Sequence, residues 1–205
     1  MNLIKTLIFD FGDVFINLDK EGAMANALEI FEVDTFPEEL THVNCRYEMG
    51  LITTKAFLEF YATKFPNLTQ GTILHAWNCI LRDFPKHRLA FLKKLQAEKK
   101  YNLILLSNTN ELHIDWIKNE IPFYEEFKSC FNRFYLSHEI NLRKPNSNIY
   151  EFVLTENNLT PSECLFVDDL KENTDSASKL GINTWNINPE TDDVTQLFDV
   201  NKRLF

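Results

Sequence analysis

The run Leu7-Ile8-Phe9 stops abruptly at Asp10, and Gly12 and Asp13 follow at once. An uninterrupted apolar run reads as a buried strand of a parallel sheet, which puts Asp10 at the strand's C-terminal end. Open α/β sheets place their chemistry along that edge. A carboxylate there is costly to bury unless a cation or hydrogen bonds meet it. The event repeats far downstream, where Leu165-Phe166-Val167 runs into Asp168-Asp169. Two apolar strands that both end in aspartates point to one shared metal site.

Strand one is expected over about 5–9, and the next clear buried strand is Tyr101 to Ser107. The stretch between them is too long for a simple crossover. Within it, residues 18–84 read as helical segments separated by turn signals. Pro37-Glu38-Glu39 looks like a helix start, Gly50 like a stop, and Thr53 and Thr69 like caps of further helices. This block is expected to be an all-helical cap domain inserted after the first strand. From Pro85 onward the pattern alternates: a helix, strand 101–107, helices over about 110–119 and 122–129, and a short strand Arg133 to Leu136. A helix from Asn146, strand 163–167, a helix near 171–180, strand Ile182 to Ile187 and a final helix near 190–199 complete it. The alternation predicts an α/β fold with a Rossmann-like, three-layer core over 1–17 and 85–205, its sheet mainly parallel.

Composition narrows the class. The chain has 205 residues, 44% hydrophobic and 25% charged, with a net charge of -9, which suits one globular domain with an insertion. That charge argues against a nucleic-acid partner, which needs clustered Lys and Arg. Cys45, Cys79, Cys130 and Cys164 are scattered and form no CxxC pair, so reduced thiols in a cytoplasmic protein are expected. Asp10 and Asp13 interrupt the N-terminal apolar run too early for a signal-peptide core, and no stretch is long enough to span a bilayer.

Four positions lie just past apolar strands or at a helix start: Asp10, Ser107, Lys144 and the pair Asp168/Asp169. Each has an ordinary structural reading. A serine after a strand caps a helix, Lys-Pro marks a surface turn, and tandem acids suit a helix N-terminus. In order and with their flanks, however, Phe9-Asp10-x-Gly12-x-Val14, Leu106-Ser107-Asn108-Thr109-Asn110, Arg143-Lys144-Pro145 and Val167-Asp168-Asp169 match a set of motifs. The chain resembles the haloacid dehalogenase (HAD) superfamily of phosphohydrolases, and the insertion lies where that superfamily carries a helical cap. Together with Tyr47-Glu48-x-Gly50-x-Ile52, the first motif looks most like a bacterial branch of sugar-phosphate phosphatases whose prototype acts on glucose 1-phosphate.

The resemblance implies a Mg²⁺-dependent phosphatase acting on a small phosphorylated metabolite. Asp10 would be the nucleophile, forming an aspartyl phosphate, and also a metal ligand. The Gly12 carbonyl and Asp169 would be further ligands, with Asp168 a ligand or a partner behind it. Ser107, Asn108 and nearby backbone N–H groups would hold phosphoryl oxygens, Lys144 would balance the shifting charge, and Asn173 would anchor the last acidic loop. His113 and His138 receive no catalytic role, and Trp77, Phe57 and Phe60 are read as cap packing. Arg46, Tyr47, Glu48 and Trp77 are candidates for lining the cleft, with joints for cap motion near 15–19 and 82–86. One departure matters. Many relatives carry an aspartate two residues after the nucleophile as general acid and base, and here that position is Gly12. Asp13 is read as a structural hydrogen-bonding residue, and Glu48 as the candidate proton donor from the cap. The competing expectation is a catalytically weak binding or regulatory protein on the same fold. A metal-free dehalogenase would not need Asp168-Asp169.

Overall fold

The computed structural model describes residues 3–205. Five strands form one parallel sheet in the order β3-β2-β1-β4-β5. They are β1 (Thr6–Phe9), β2 (Asn102–Ser107), β3 (Arg133–Leu136), β4 (Cys164–Asp168) and β5 (Asn183–Asn186). Strand residues alternate between the two faces, and both faces are covered. Leu7, Phe9, Leu103, Leu105, Leu165 and Val167 enter one apolar cluster. Ile8, Ile104, Leu106, Cys164 and Phe166 enter another. Burial on both faces explains why these strands read as unbroken apolar runs.

Register positions the polar strand ends. Phe9 is level with Leu105 on one side and Val167 on the other, and Asp10 N–H donates to Val167 O at 2.9 Å. The aspartates that end β1 and β4 therefore emerge side by side, with Ser107 at the end of β2.

Four helices lie between β1 and the rest of the core: α1 (Lys20–Ile30), α2 (Glu38–Glu48), α3 (Thr54–Lys64) and α4 (Gln70–Asn78). The expected caps are present. Pro37 precedes α2, Thr53 accepts from Ala56 N–H, and Thr69 accepts from Thr72 N–H. Gly50 ends the α2 segment at φ +65°, and a Cβ there would come within 2.0 Å of the His138 carbonyl, so only glycine fits. These helices share an apolar cluster built on Phe31, Leu40, Tyr47, Phe57, Tyr61 and Ile73. The two chain crossings run together, with Leu18 bridged to Leu81 and Asn17 N–H donating to Asp83 O at 2.9 Å.

The remaining helices are α5 (Lys86–Glu98), α6 (Glu111–Glu120), α7 (Tyr124–Ser129), α8 (Ser137–Ile140), α9 (Ser147–Glu156), α10 (Lys171–Lys179) and α11 (Leu197–Val200). The helix expected over 190–199 is instead a turn, a 3-10 segment Val194–Gln196 and the four-residue α11. Local side-chain bonds win there: Asn188 N–H donates to Asp192, and Asp193 and Gln196 close a capping box. Asn146 sits at the N-cap of α9 but makes no side-chain capping bond. Asn141 adopts φ 57°, the left-handed conformation that asparagine tolerates in place of glycine. No helix among the described residues is long and apolar enough to cross a membrane.

Candidate active site

The loops after β1, β2 and β4 and the segment before α9 converge on one sheet edge. Asp10, Gly12, Ser107, Asn108, Arg143 and Asp169 line a cleft of about 190 Å³ there. Lys144 is fully buried behind it, with Nζ 2.8 Å from Asp10 Oδ1 and 2.6 Å from Asp168 Oδ2. The contact with Asp10 is an ion pair rather than a directed hydrogen bond. A buried ammonium survives because two carboxylates flank it. Burial works against its charge, but Asp10 and Asp168 outweigh burial and hold its pKa above the usual lysine value. The Phe166 ring adds a face 5.5 Å from Nζ.

The two tandem acids have different surroundings. Asp168 is wholly buried, and donors fill both its oxygens: Leu170 N–H and Asn173 Nδ2 on Oδ1, both at 2.9 Å, and Lys144 Nζ and Asn173 Nδ2 on Oδ2. Asp169 instead faces the cleft and pairs there with Lys20. Asn173 thus braces the acidic loop, as expected. Asn108 ties two loops: its Nδ2 donates to Lys144 O and its Oδ1 accepts from Lys144 N–H, each at 2.9 Å. Ser107 is buried at the end of β2, with Oγ 3.5 Å from Asn108 O. Asp13 takes a left-handed φ of 54°, accepts from Leu18 N–H at 2.9 Å and pairs with Lys20 at 2.8 Å.

Carboxylate oxygens of Asp10, Asp168 and Asp169 lie within 4.8 Å of one another. Asp10, Asp13, Asp168 and Asp169 face two ammonium groups, Lys20 and Lys144. The edge is short of positive charge. Burial, Asp168 and Asp169 push the Asp10 carboxyl up to about 7 although Lys144 opposes them. A hard divalent cation held by oxygens fits this donor set.

Glu48, at the end of α2, reaches the same cleft and pairs with Arg143 at 3.0 Å. Burial raises its pKa, and Arg143 only partly offsets that. Of the other cap candidates, Trp77 and Phe57 line a second cavity inside the cap while also packing together, with centroids 4.8 Å apart. Tyr47 is buried, stacked on Phe57 and bonded through its hydroxyl to Thr54 and Leu112 N–H. Arg46 is not among the residues lining either cavity. Phe60 packs against the cap cluster. His113 lines both cavities, and its Nε2 lies 3.1 Å from Trp77 O.

Sequence reasoning did not find Lys20 or a role for Arg143. Lys20 leaves a trace. It is the first residue of α1, where a cation opposes the helix dipole, so a lysine there needs a carboxylate partner from elsewhere. Arg143 stands out only through the motif that contains it.

An edge that gathers carboxylates and a buried lysine from three loops of a parallel sheet is the arrangement of a metal-assisted phosphohydrolase, and family comparison agrees. The model of the haloacid dehalogenase-like hydrolases matches residues 7–187, and the chain belongs to that family. D-ribitol-5-phosphate phosphatase of Bacteroides thetaiotaomicron is 27% identical over 191 residues, covering 89% of this chain and 91% of that protein. A HAD-family enzyme of Bacteroides thetaiotaomicron, solved as a magnesium complex, is 34% identical and superposes with a TM-score of 0.83 over 95% of this chain and 98% of that one. The same enzyme solved with magnesium and inorganic phosphate gives a TM-score of 0.82 at 34% identity, over 95% and 99% of the two chains. The chain is thus a haloacid dehalogenase-like hydrolase, and the solved relative it superposes on was obtained as a magnesium complex.

Proposed function

We propose that this protein hydrolyses the phosphate ester of a small phosphorylated metabolite through an aspartyl phosphate on Asp10. A sugar or sugar-alcohol phosphate is the first candidate, given the D-ribitol-5-phosphate phosphatase to which the chain is similar. The observation that carries the reading is the meeting of Asp10, Lys144, Asp168 and Asp169 at one strand edge.

An Asp10 oxygen attacks phosphorus, a P–O bond to Asp10 forms and the ester P–O bond breaks. Ser107 and backbone N–H groups after β2, including that of Asn108, hold the phosphoryl oxygens. The Asn108 side chain fixes Lys144, whose ammonium follows the negative charge as it moves. Asp10, Asp169 and the Gly12 carbonyl would hold Mg²⁺, which would screen the phosphoryl charge from the nucleophile. Asp168, with both oxygens already taken, positions Lys144 and the acidic loop. Glu48 supplies the leaving oxygen's proton from the cap side. Its location on the cleft wall and its raised pKa support that role. Water then attacks phosphorus and gives its proton to the now ionised Glu48, a new P–O bond forms, the Asp10 O–P bond breaks, and inorganic phosphate leaves with Asp10 restored.

The test is phosphate release from a panel of phosphorylated sugars, polyols and carboxylic acids, with and without Mg²⁺. Wild-type protein should release phosphate only with the metal. Asp10→Asn should reduce the rate by roughly 10³-fold or more. Turnover that survives Asp10→Asn refutes the covalent route. Tight binding without release by wild-type protein would leave the weak-catalyst alternative standing.

A further inference from the structure

The cap helices line a half-open cavity of about 290 Å³, larger than the neighbouring cleft of about 190 Å³ at the strand edge. The two adjoin. Lys20, Glu48, Ile80 and His113 belong to the walls of both. A molecule phosphorylated at the strand edge therefore reaches the cap chamber by passing these four side chains.

Polarity changes sharply along that space. The neck carries charged groups. Glu48 is held by Arg143, and Lys20 by Asp13 and Asp169. Beyond the neck the wall is Phe31, Phe36, Phe57, Ile73 and Ala76 with the rings of Tyr61 and Trp77. The polar ends of those two rings are already engaged. Tyr61 OH donates to Asn44 Oδ1 at 2.7 Å, and Trp77 Nε1–H donates to Asn110 Oδ1 at 3.1 Å. Asn44 adds one polar side chain to this wall, with its Oδ1 already taken by Tyr61, so a polyol pushed into this chamber would find few partners for its hydroxyls, a penalty that hydrogen-bonding specificity is built on. An aromatic or branched alkyl group would find faces to pack against.

We infer that the cap cavity receives the alcohol part of the substrate, and that this alcohol is amphiphilic: polar next to the ester and aromatic or branched aliphatic at its far end. The inference rests on the phosphatase reading and, from the character of the cavity wall, moves the sugar-alcohol phosphate down from first candidate within it. It ranks a pentitol phosphate, hydroxylated along its whole length, below an ester of comparable reach that ends in a ring.

Three primary alkyl phosphates with leaving groups of similar basicity separate these options: glycerol 3-phosphate, ribitol 5-phosphate and 4-phenylbutyl phosphate. The readout is the ratio of kcat/KM values measured on one preparation, so partial misfolding cancels. We expect 4-phenylbutyl phosphate to exceed both others by tenfold or more. Filling the chamber from either of two helices, with Ala76→Leu on α4 or the milder Ala27→Val on α1, should lower that ratio at least fivefold. Binding of 4-phenylbutylphosphonate to Asp10→Asn protein should weaken in parallel, a measurement that needs no turnover. A ratio at or below one for the phenylbutyl ester, or a ratio indifferent to both substitutions, overturns the inference while phosphatase activity on the other esters stands. Absence of release from every ester with Mg²⁺ present overturns the parent reading and this inference together.

Discussion

The floor and the roof of the substrate space bury their ionisable groups about equally, with opposite results. On the floor, Lys144 is fully buried yet held charged because Asp10 and Asp168 flank it. Where core helix α6 meets the roof, burial pushes the His113 imidazole down to about 4, and within the roof it pushes the Tyr61 phenol up, so both stay neutral. Removal from water favours the neutral form of any group; only a charged partner within a few ångströms reverses that. The floor supplies partners through strand register, which sets Asp10 beside Asp168. The roof supplies aromatic rings and one neutral backbone carbonyl, Trp77 O, for His113. The floor is thereby equipped to move charge, and the roof to sort alcohols by shape and polarity.

The hardest blow to this contrast is to strip the floor of its partner. Lys144→Met keeps a long side chain and removes the ammonium, leaving Asp10 and Asp168 buried without a cation. Turnover should fall about 10³-fold, as when a preorganised electrostatic group is lost from an active site. Stability should fall by about 3–5 kcal/mol, because a buried charge has lost its counter-ion. Urea denaturation in metal-free buffer measures the second effect. Adding Asp10→Asn should recover part of that stability, since one of the stranded charges goes. If Lys144→Met leaves stability unchanged, the floor does not depend on pairing and the contrast with the roof fails.

A second experiment works at the seam. A Cβ on Gly12 would meet Leu18 Cδ1 at 2.7 Å, so a side chain from the strand entering the cap fills the space above the floor where a catalytic carboxylate would stand. Leu18 ends in a flexible methyl, and Gly12→Asp combined with Leu18→Ala makes room. If protonation of the leaving oxygen now comes from Glu48 in the cap, Glu48→Gln in the wild-type background should slow alkyl-ester turnover by roughly 10²-fold. In the Gly12→Asp, Leu18→Ala background the same change should matter far less, because the floor has acquired its own acid. Equal losses in both backgrounds would remove Glu48 from the proton path.

The contrast also marks what the sequence could reveal. Strand ends on the floor were legible because an apolar run that stops at a carboxylate puts that charge at the edge of a buried sheet, and the spacing of Asp10, Ser107, Lys144 and Asp168/Asp169 repeats a family order. Gly50 was legible for a local reason: the left-handed backbone that stops a helix restricts the residue type. The roof was not. Phe57 and Trp77 carry a helical apolar pattern that looks the same whether a ring faces a neighbour or a cavity, and here both occur. Lys20 was hidden because its partners, Asp13 and Asp169, lie seven and 149 positions away, and long-range pairing leaves no periodic trace. The last helix failed because Asn188, Asp192 and Asp193 satisfy backbone groups locally, and that competition depends on geometry rather than composition.

The smallest effect probes the underside of the roof, where α6 carries His113 against Trp77. The folded protein keeps His113 neutral down to about pH 4, whereas an unfolded chain protonates it near 6.5. Above pH 6.5 neither state carries the extra proton and the contribution to stability is complete. As the pH falls from 6.5 towards 4 the unfolded state gains a proton that the folded state refuses, so stability declines. One proton limits the slope to about 1.4 kcal/mol per pH unit. His138, also lowered chiefly by burial, declines in the same direction, so the informative quantity is the difference between wild type and His113→Gln. Glutamine can still donate to Trp77 O but cannot titrate, and its stability curve between pH 4 and 6.5 should be flatter by up to that slope. Parallel curves would mean that His113 protonates in the folded state as readily as in the unfolded one, and that the roof does not impose neutrality on the groups it buries.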